Sequence, residues 1–227
     1  MRKRLLALLL ALSLAALSAC GGANNQNQNQ NQPPQTGGQT TPPAQQVTIA
    51  ISGDPTTLDP HKSFNGYVFT VTNQIYETLL FRAADGTLQP RLATEWTPVD
   101  DTTWEFKLRE GVKFSDGTPF NAEAVKFSLE RLADPATKGP GAFIVNMIEE
   151  ITVVDDTTVR IKTSTPFAPL LAHLSHPVTA IVSPKAAEGD LSKNPAGTGP
   201  FLLADWKAGD SVTLKANPDY WGGQPKV

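Results

Sequence analysis

Val47, Ile49 and Ile51 alternate with Thr48 and Ala50 and stop at Ser52-Gly53-Asp54-Pro55, a period-two pattern that predicts a strand running into a loop. Beyond the loop the period changes. Val68, Val71, Ile75 and Leu79, flanked by Thr72, Tyr76 and Leu80, recur at helical spacing, and either Ser63 or Asn65 can cap the helix they predict. Strand, loop and helix make the opening of an α/β unit. Asp85-Gly86, Asp100-Asp101 and Asp116-Gly117 then mark turns between short pieces. Trp104, Phe106 and Leu108 alternate with Glu105, Lys107 and Arg109, as in a half-buried antiparallel strand. Ala122 to Ala133 predicts a helix capped by Asn121, with Val125, Leu129 and Leu132 on one face. The phrase Val-Asp-Asp-Thr-Thr stands at 99–103 and again at 154–158, ahead of Val159 and Ile161, and predicts a turn into a hairpin strand each time. Five shared residues are too few to indicate duplication. Ala168 to Leu174 predicts a short helix and Ala180 to Ser183 a strand. Phe201 to Trp206 and Ser211 to Ala216 predict two strands joined by Lys207-Ala208-Gly209-Asp210. One strand-helix unit followed by several hairpins predicts α/β with mixed sheets, not a pure doubly wound sheet.

The first 46 residues follow neither period. Met1 to Arg4 is basic, and Leu5 to Leu17 is a Leu/Ala run broken only by Ser13, the layout of a secretory signal. As a helix the run covers about 20 Å, short of the ~30 Å of a bilayer core, so it is no permanent span. It ends in Leu17-Ser18-Ala19-Cys20, which resembles the lipobox of bacterial lipoproteins, where the cysteine thiol is lipidated and the signal, here 1–19, is cut before it. Gly21 to Gln46 holds 13 Asn/Gln, 4 Pro and no charge, so it has nothing to bury and reads, with Cys20, as a tether over 20–46. Its root-mean-square span is about 28 Å, enough to lift a domain clear of lipid headgroups.

Composition then narrows the chemistry. Residues 47–227 carry 16 basic and 22 acidic side chains, which excludes a polyanion-binding stripe and a nucleic-acid partner. The single cysteine excludes an internal disulfide and a Cys-rich metal site, so the core must be apolar. Gly-x-Ser-x-Gly, His-Glu-x-x-His, the phosphate loop and Ser-x-x-Lys are all missing beyond Cys20. His173 and His176 have i, i+3 spacing but no nearby third ligand, and Pro177 ends any helix there. His61 beside Asp59 reads as turn geometry more than as an acid/base pair. No metal, cofactor or catalytic residue is therefore assigned, and an exported hydrolase using His61 or the His173/His176 pair is the alternative. The aromatic residues suit binding better: Phe64 in the loop, Tyr67 at the helix start and Phe143 in a Gly-Pro-Gly-flanked stretch need not be core. Trp104 and Trp206 sit in strand patterns and read as core, whereas Trp96 and Trp221 fit either place.

Longer blocks carry a more specific signal. Leu58-Asp59-Pro60, Ile75-Tyr76-Glu77, Leu92-Ala93-Thr94-Glu95-Trp96, Trp104 to Phe114, Ser115 to Phe120, Asn121 to Val125, Gly197 to Phe201 and Asn217 to Gly222 occur in order. Together they resemble the family 5 extracellular solute-binding proteins of ABC importers, the oligopeptide, dipeptide and nickel group, over all of 47–227.

That resemblance implies a type II periplasmic-binding-protein-like α/β fold, two-lobed, closing on an extended ligand and presenting it to a membrane permease. It implies that 47–80 opens lobe I, that 81–180 is a small inserted antiparallel subdomain, and that 181–227 returns to lobe I. Family members are roughly twice as long, so the chain is expected to be an amino-terminal half without the second lobe, marginally stable and weak in peptide binding by itself. Cleft-facing positions implied here are Ser63, Phe64, Asn65 and Gly66, Phe143, and the loop of His176 and Thr179, where main-chain groups could pair with an extended peptide. Asp59 and Pro60 are expected to shape their loop. The implied protein is a monomeric, extracytoplasmic, lipid-anchored receptor without enzymatic activity.

Overall fold

The computed structural model describes residues 45–227, so the expected signal, lipidated Cys20 and the tether through residue 44 lie outside the described residues. Residues 45–51 run without secondary structure, and Val47, Ile49 and Ile51 are exposed. This corrects the strand expected there. Alternation yields a strand only where a neighbour takes its backbone hydrogen bonds, and no described strand pairs with 47–51.

Asp59 accepts from the His61 backbone N–H and so caps a single 3-10 turn, Pro60–Lys62. Asn65 then caps α1 (Gly66–Ile75), its side chain accepting from Tyr67 N–H at 3.0 Å, so of the two candidate caps it is Asn65 that serves. Val68, Val71, Thr72 and Ile75 form the buried face. The helix stops because Tyr76 is extended, with φ −117° and ψ 157°, and Leu79 lies beyond it. Glu77 makes an isolated antiparallel bridge to Ile181, and that bridge is all that forms of the strand expected at Ala180 to Ser183.

β1 (Leu80–Arg82) and β2 (Leu88–Pro90) form a short ribbon. β3 (Ala93–Pro98), β4 (Thr103–Leu108), β5 (Ile148–Asp155) and β6 (Thr158–Thr163) form a four-stranded sheet in the order β3-β4-β6-β5. Both copies of Val-Asp-Asp-Thr-Thr are hairpin turns, as expected, the first between β3 and β4 and the second between β5 and β6. Their cause is one side-chain bond: Asp100 Oδ1 accepts from Thr102 N–H, and Asp155 Oδ1 from Thr157 N–H, both at 2.8 Å. Asp85 with Thr87 and Asp116 with Thr118 repeat it.

α2 (Ala122–Ala133) has the expected bounds and cap, Asn121 accepting from Ala124 N–H. Its Val125, Leu129 and Leu132 pack with Phe106, Val159 and Ile161 in the larger core. α3 (Leu170–His173) is shorter than expected, and α4 (Pro184–Ala187) is capped by Ser183. β7 (Phe201–Lys207) and β8 (Ser211–Ala216) form the expected hairpin. With α1 they cover a second, smaller core of Leu58, Ile75, Tyr76, Val182 and Leu191. The fold is mixed α/β, and every strand pair among the described residues is antiparallel. Among the close approaches that need glycine, a Cβ on Gly197 would stand 2.2 Å from Ile75 O, and one on Gly141 2.5 Å from Val178 Cγ2 and 2.9 Å from Phe64 Cδ2.

Candidate functional site

A buried ionic knot fixes the loop that opens α1. Asp59, wholly buried, receives both Arg131 Nη groups, at 3.1 Å on Oδ1 and 2.6 Å on Oδ2. Arg131 Nη1 also reaches His61 Nδ1 at 2.7 Å, and His61 Nε2 lies 2.9 Å from Ala180 O. Guanidinium only donates and a carbonyl only accepts, so these partners assign the proton to Nε2. Burial, and then the Arg131 charge, push the His61 pKa down to about 4, and the ring is neutral. The knot ties residues 59–62 to the last turn of α2 and to the loop before α4.

Above it three loops meet. The Phe64 ring stacks on His176 at 4.9 Å and 6°, and lies 5.2 Å from Phe143 and 6.1 Å from Phe69. Phe69 meets His176 edge-on at 5.5 Å. Phe64 is 43% exposed and Phe143 56%, which makes this cluster an open apolar face and not core. His176 Nδ1 accepts from Val178 N–H at 3.2 Å, so in the neutral ring Nε2 carries the proton. Burial, and then His173, lower its pKa.

The structure thus brings Phe64, Phe143 and His176 together. Gly66 lies beside them at the start of α1, with open space where a side chain would be. Asn65 spends its side-chain oxygen on the cap. Ser63 and Thr179 are buried, and the Thr179 hydroxyl donates to the His173 and His176 carbonyls, so Thr179 holds its loop from beneath. Tyr67 is partly exposed and lies against Gly53. Phe69 was not legible as part of the cluster, because only its i, i+5 offset from Phe64 hints at the contact.

A groove of about 260 Å³ adjoins the cluster and shares His176 with it. Asn73, Phe81, Arg82, Arg91 and Ser175 also line it. Behind it, buried Glu77 accepts from Arg91 Nε at 3.0 Å, Thr198 Oγ1 at 2.9 Å, Tyr220 OH at 2.9 Å and Trp221 Nε1 at 2.7 Å. Arg109 covers the Trp221 ring at 4.1 Å. Trp221 is therefore an anchor of this hub, and Trp104 and Trp206 pack against the two cores.

The hydrolase alternative finds little in this geometry. Both nitrogens of wholly buried His61 have protein partners. His173 Nδ1 donates to Ile144 O at 2.8 Å, and among the described residues no group of three His, Cys, Asp or Glu side chains could hold a metal ion. No helix among them is long and apolar enough to cross a membrane.

Comparisons with known proteins agree with this picture. The family model for "Bacterial extracellular solute-binding proteins, family 5 Middle" matches residues 87–227. The chain is 38% identical over 189 residues to the glutathione-binding protein GsiB of Escherichia coli strain K12, covering 81% of this chain and 37% of that protein. Among solved structures, the Escherichia coli murein tripeptide binding protein MppA matches with TM-score 0.71 at 26% identity, over 76% of this chain and 38% of that one. DppA from Helicobacter pylori, in complex with peptide STSA, matches with TM-score 0.68 at 32% identity, over 75% and 38%. NikA from Brucella suis, in complex with Fe(III)-EDTA, matches with TM-score 0.69 at 34% identity, over 78% and 36%. The chain spans well under half the length of these relatives.

Proposed function

The chain belongs to family 5 of the bacterial extracellular solute-binding proteins, and from that membership we propose that it captures peptides or similar extended solutes and hands them to an ABC transporter permease. The observation that carries the reading is the cluster of Phe64, Phe69, Phe143 and His176, open at Phe64 and Phe143 and built from α1 and separate loops beside a buried ionic knot. Open aromatic rings on a rigid base bind apolar solute surface at little entropic cost. Its relatives GsiB, MppA and DppA, which bind glutathione, a murein tripeptide and a peptide, favour peptide-like solutes.

The finer features belong to the same proposal. Ser63, Phe64, Asn65, Gly66, Phe143, His176 and Thr179 form the solute-facing loops, with Thr179 acting through the backbone it holds. Segments 47–80 and 181–227 form one lobe and 81–180 a subdomain, a division favoured by the two separate cores. Cys20 carries the lipid that holds this extracytoplasmic monomer at the membrane, two or more acyl chains being needed for stable anchoring. The protein binds without turning its solute over.

Native mass spectrometry of the full-length protein purified from its own host tests this. A stoichiometric small solute, released unchanged on denaturation, is the expected result. A protein that arrives empty and cleaves peptides or esters would refute it.

A further inference from the structure

The groove beside the aromatic cluster has a charge pattern unlike the rest of the chain. Acidic side chains outnumber basic ones 22 to 16 from residue 47 on, yet the groove is lined by two arginines and no carboxylate. Arg91 is partly engaged: its Nε donates to Glu77, and its guanidinium lies 5.5 Å above the Phe81 ring. Arg82 has no ion pair, side-chain hydrogen bond or ring contact among the described residues, and residues 1–44 contain no acidic residue. Glu77, the buried carboxylate that holds Arg91, is matched by Arg91 and three neutral donors, which leaves Arg82 as the uncompensated charge of the lining. His176 adds an Nε2–H donor at the boundary with the cluster.

We propose that this groove is a carboxylate subsite, in which Arg82, supported by the free edge of Arg91, holds a carboxylate of the solute while the solute's apolar part lies on Phe64 and Phe143. A guanidinium fork matches a carboxylate in two parallel hydrogen bonds, which a lone ammonium does not. The groove's volume falls below the 300 to 1,000 Å³ or so of whole-ligand pockets, and it suits the end of a solute. His176 lines the groove and stacks on Phe64, so groove and cluster are neighbours at this residue. This inference rests on the solute-binding reading above and specifies the solute as an anion with an apolar neighbour to its carboxylate.

Calorimetric titration of the full-length protein, freed of bound solute, with N-acetyl-phenylalanine and N-acetyl-phenylalaninamide tests it. The acid is expected to bind at least tenfold more tightly than the amide. Arg82→Gln should bring the acid down to the amide's affinity without moving the melting temperature, since Arg82 is exposed, whereas Phe64→Ala should weaken both probes alike. Equal affinities for acid and amide, or a preference that survives Arg82→Gln, overturn the subsite while Phe64→Ala still reports on the aromatic face. Binding of neither probe overturns the subsite and the aromatic face together.

Discussion

His61 shows how far burial can carry a residue from its usual chemistry. Its sequence neighbour Asp59 suggested a turn, and that much was legible, because Asp-x-x caps need no distant partner. The Arg131 that completes the knot is 72 residues from Asp59, and no local pattern announces such a pair. The knot predicts a pH dependence. An unfolded imidazole titrates near 6.5 and the folded one near 4. Between those values the unfolded state holds more protons, so the His61 contribution is complete above about pH 6.5 and is lost as pH falls toward 4, by at most about 3 kcal/mol. His176, also lowered, adds to the loss with the same sign. Urea midpoints at pH 7.5 and pH 5 should therefore fall further for the wild type than for His61→Gln. Parallel falls in the two proteins would show that His61 does not titrate in this window.

Among the elements, legibility followed locality. α2 is legible with its cap and both ends because Asn121 and the one-face spacing of Val125, Leu129 and Leu132 all act within one helix. The two hairpin turns were legible for the same reason, each resting on one aspartate. Residues 47–51 have strand alternation without a described partner, and β5 has no legible alternation because Ile151 is its only buried residue. The Gly197-Thr198-Gly199-Pro200 segment was recognisable as a motif, but its cause is tertiary. Its backbone lies directly on the end of α1, where Gly199 N–H donates to Ile75 O at 2.8 Å. Gly197→Ala would drive a methyl into that carbonyl, and a loss of roughly 3 kcal/mol is expected from overpacking. Gly66→Ala, with open space around it, should change stability by less than about 1 kcal/mol. Chemical denaturation of both variants checks this, and equal effects would mean that the seam can open without cost.

For the whole molecule, the family was legible because several blocks in fixed order constrain one fold, whereas the arginines of the groove lay in stretches with no motif at all. Resemblance implies the loops of the aromatic face, and only the folded chain separates rings that stand open, Phe64 and Phe143, from the buried Ser63 and Thr179. The anchor makes its own prediction. Cys20 is the sole thiol, so Cys20→Ala should abolish incorporation of radiolabelled fatty acid and leave the protein uncut or released from the membrane fraction. Undiminished label in the variant would dispose of the lipoprotein reading. The central claim is that an exposed aromatic face on this chain meets the solute. Its most direct test is the affinity of the full-length protein for a set of di- to pentapeptides, compared with that of Phe64→Ala. The account predicts at least a tenfold weaker affinity, about 1.4 kcal/mol of binding free energy, in a variant that still folds cooperatively and melts only a little lower. Saturable peptide binding that Phe64→Ala leaves intact would contradict it.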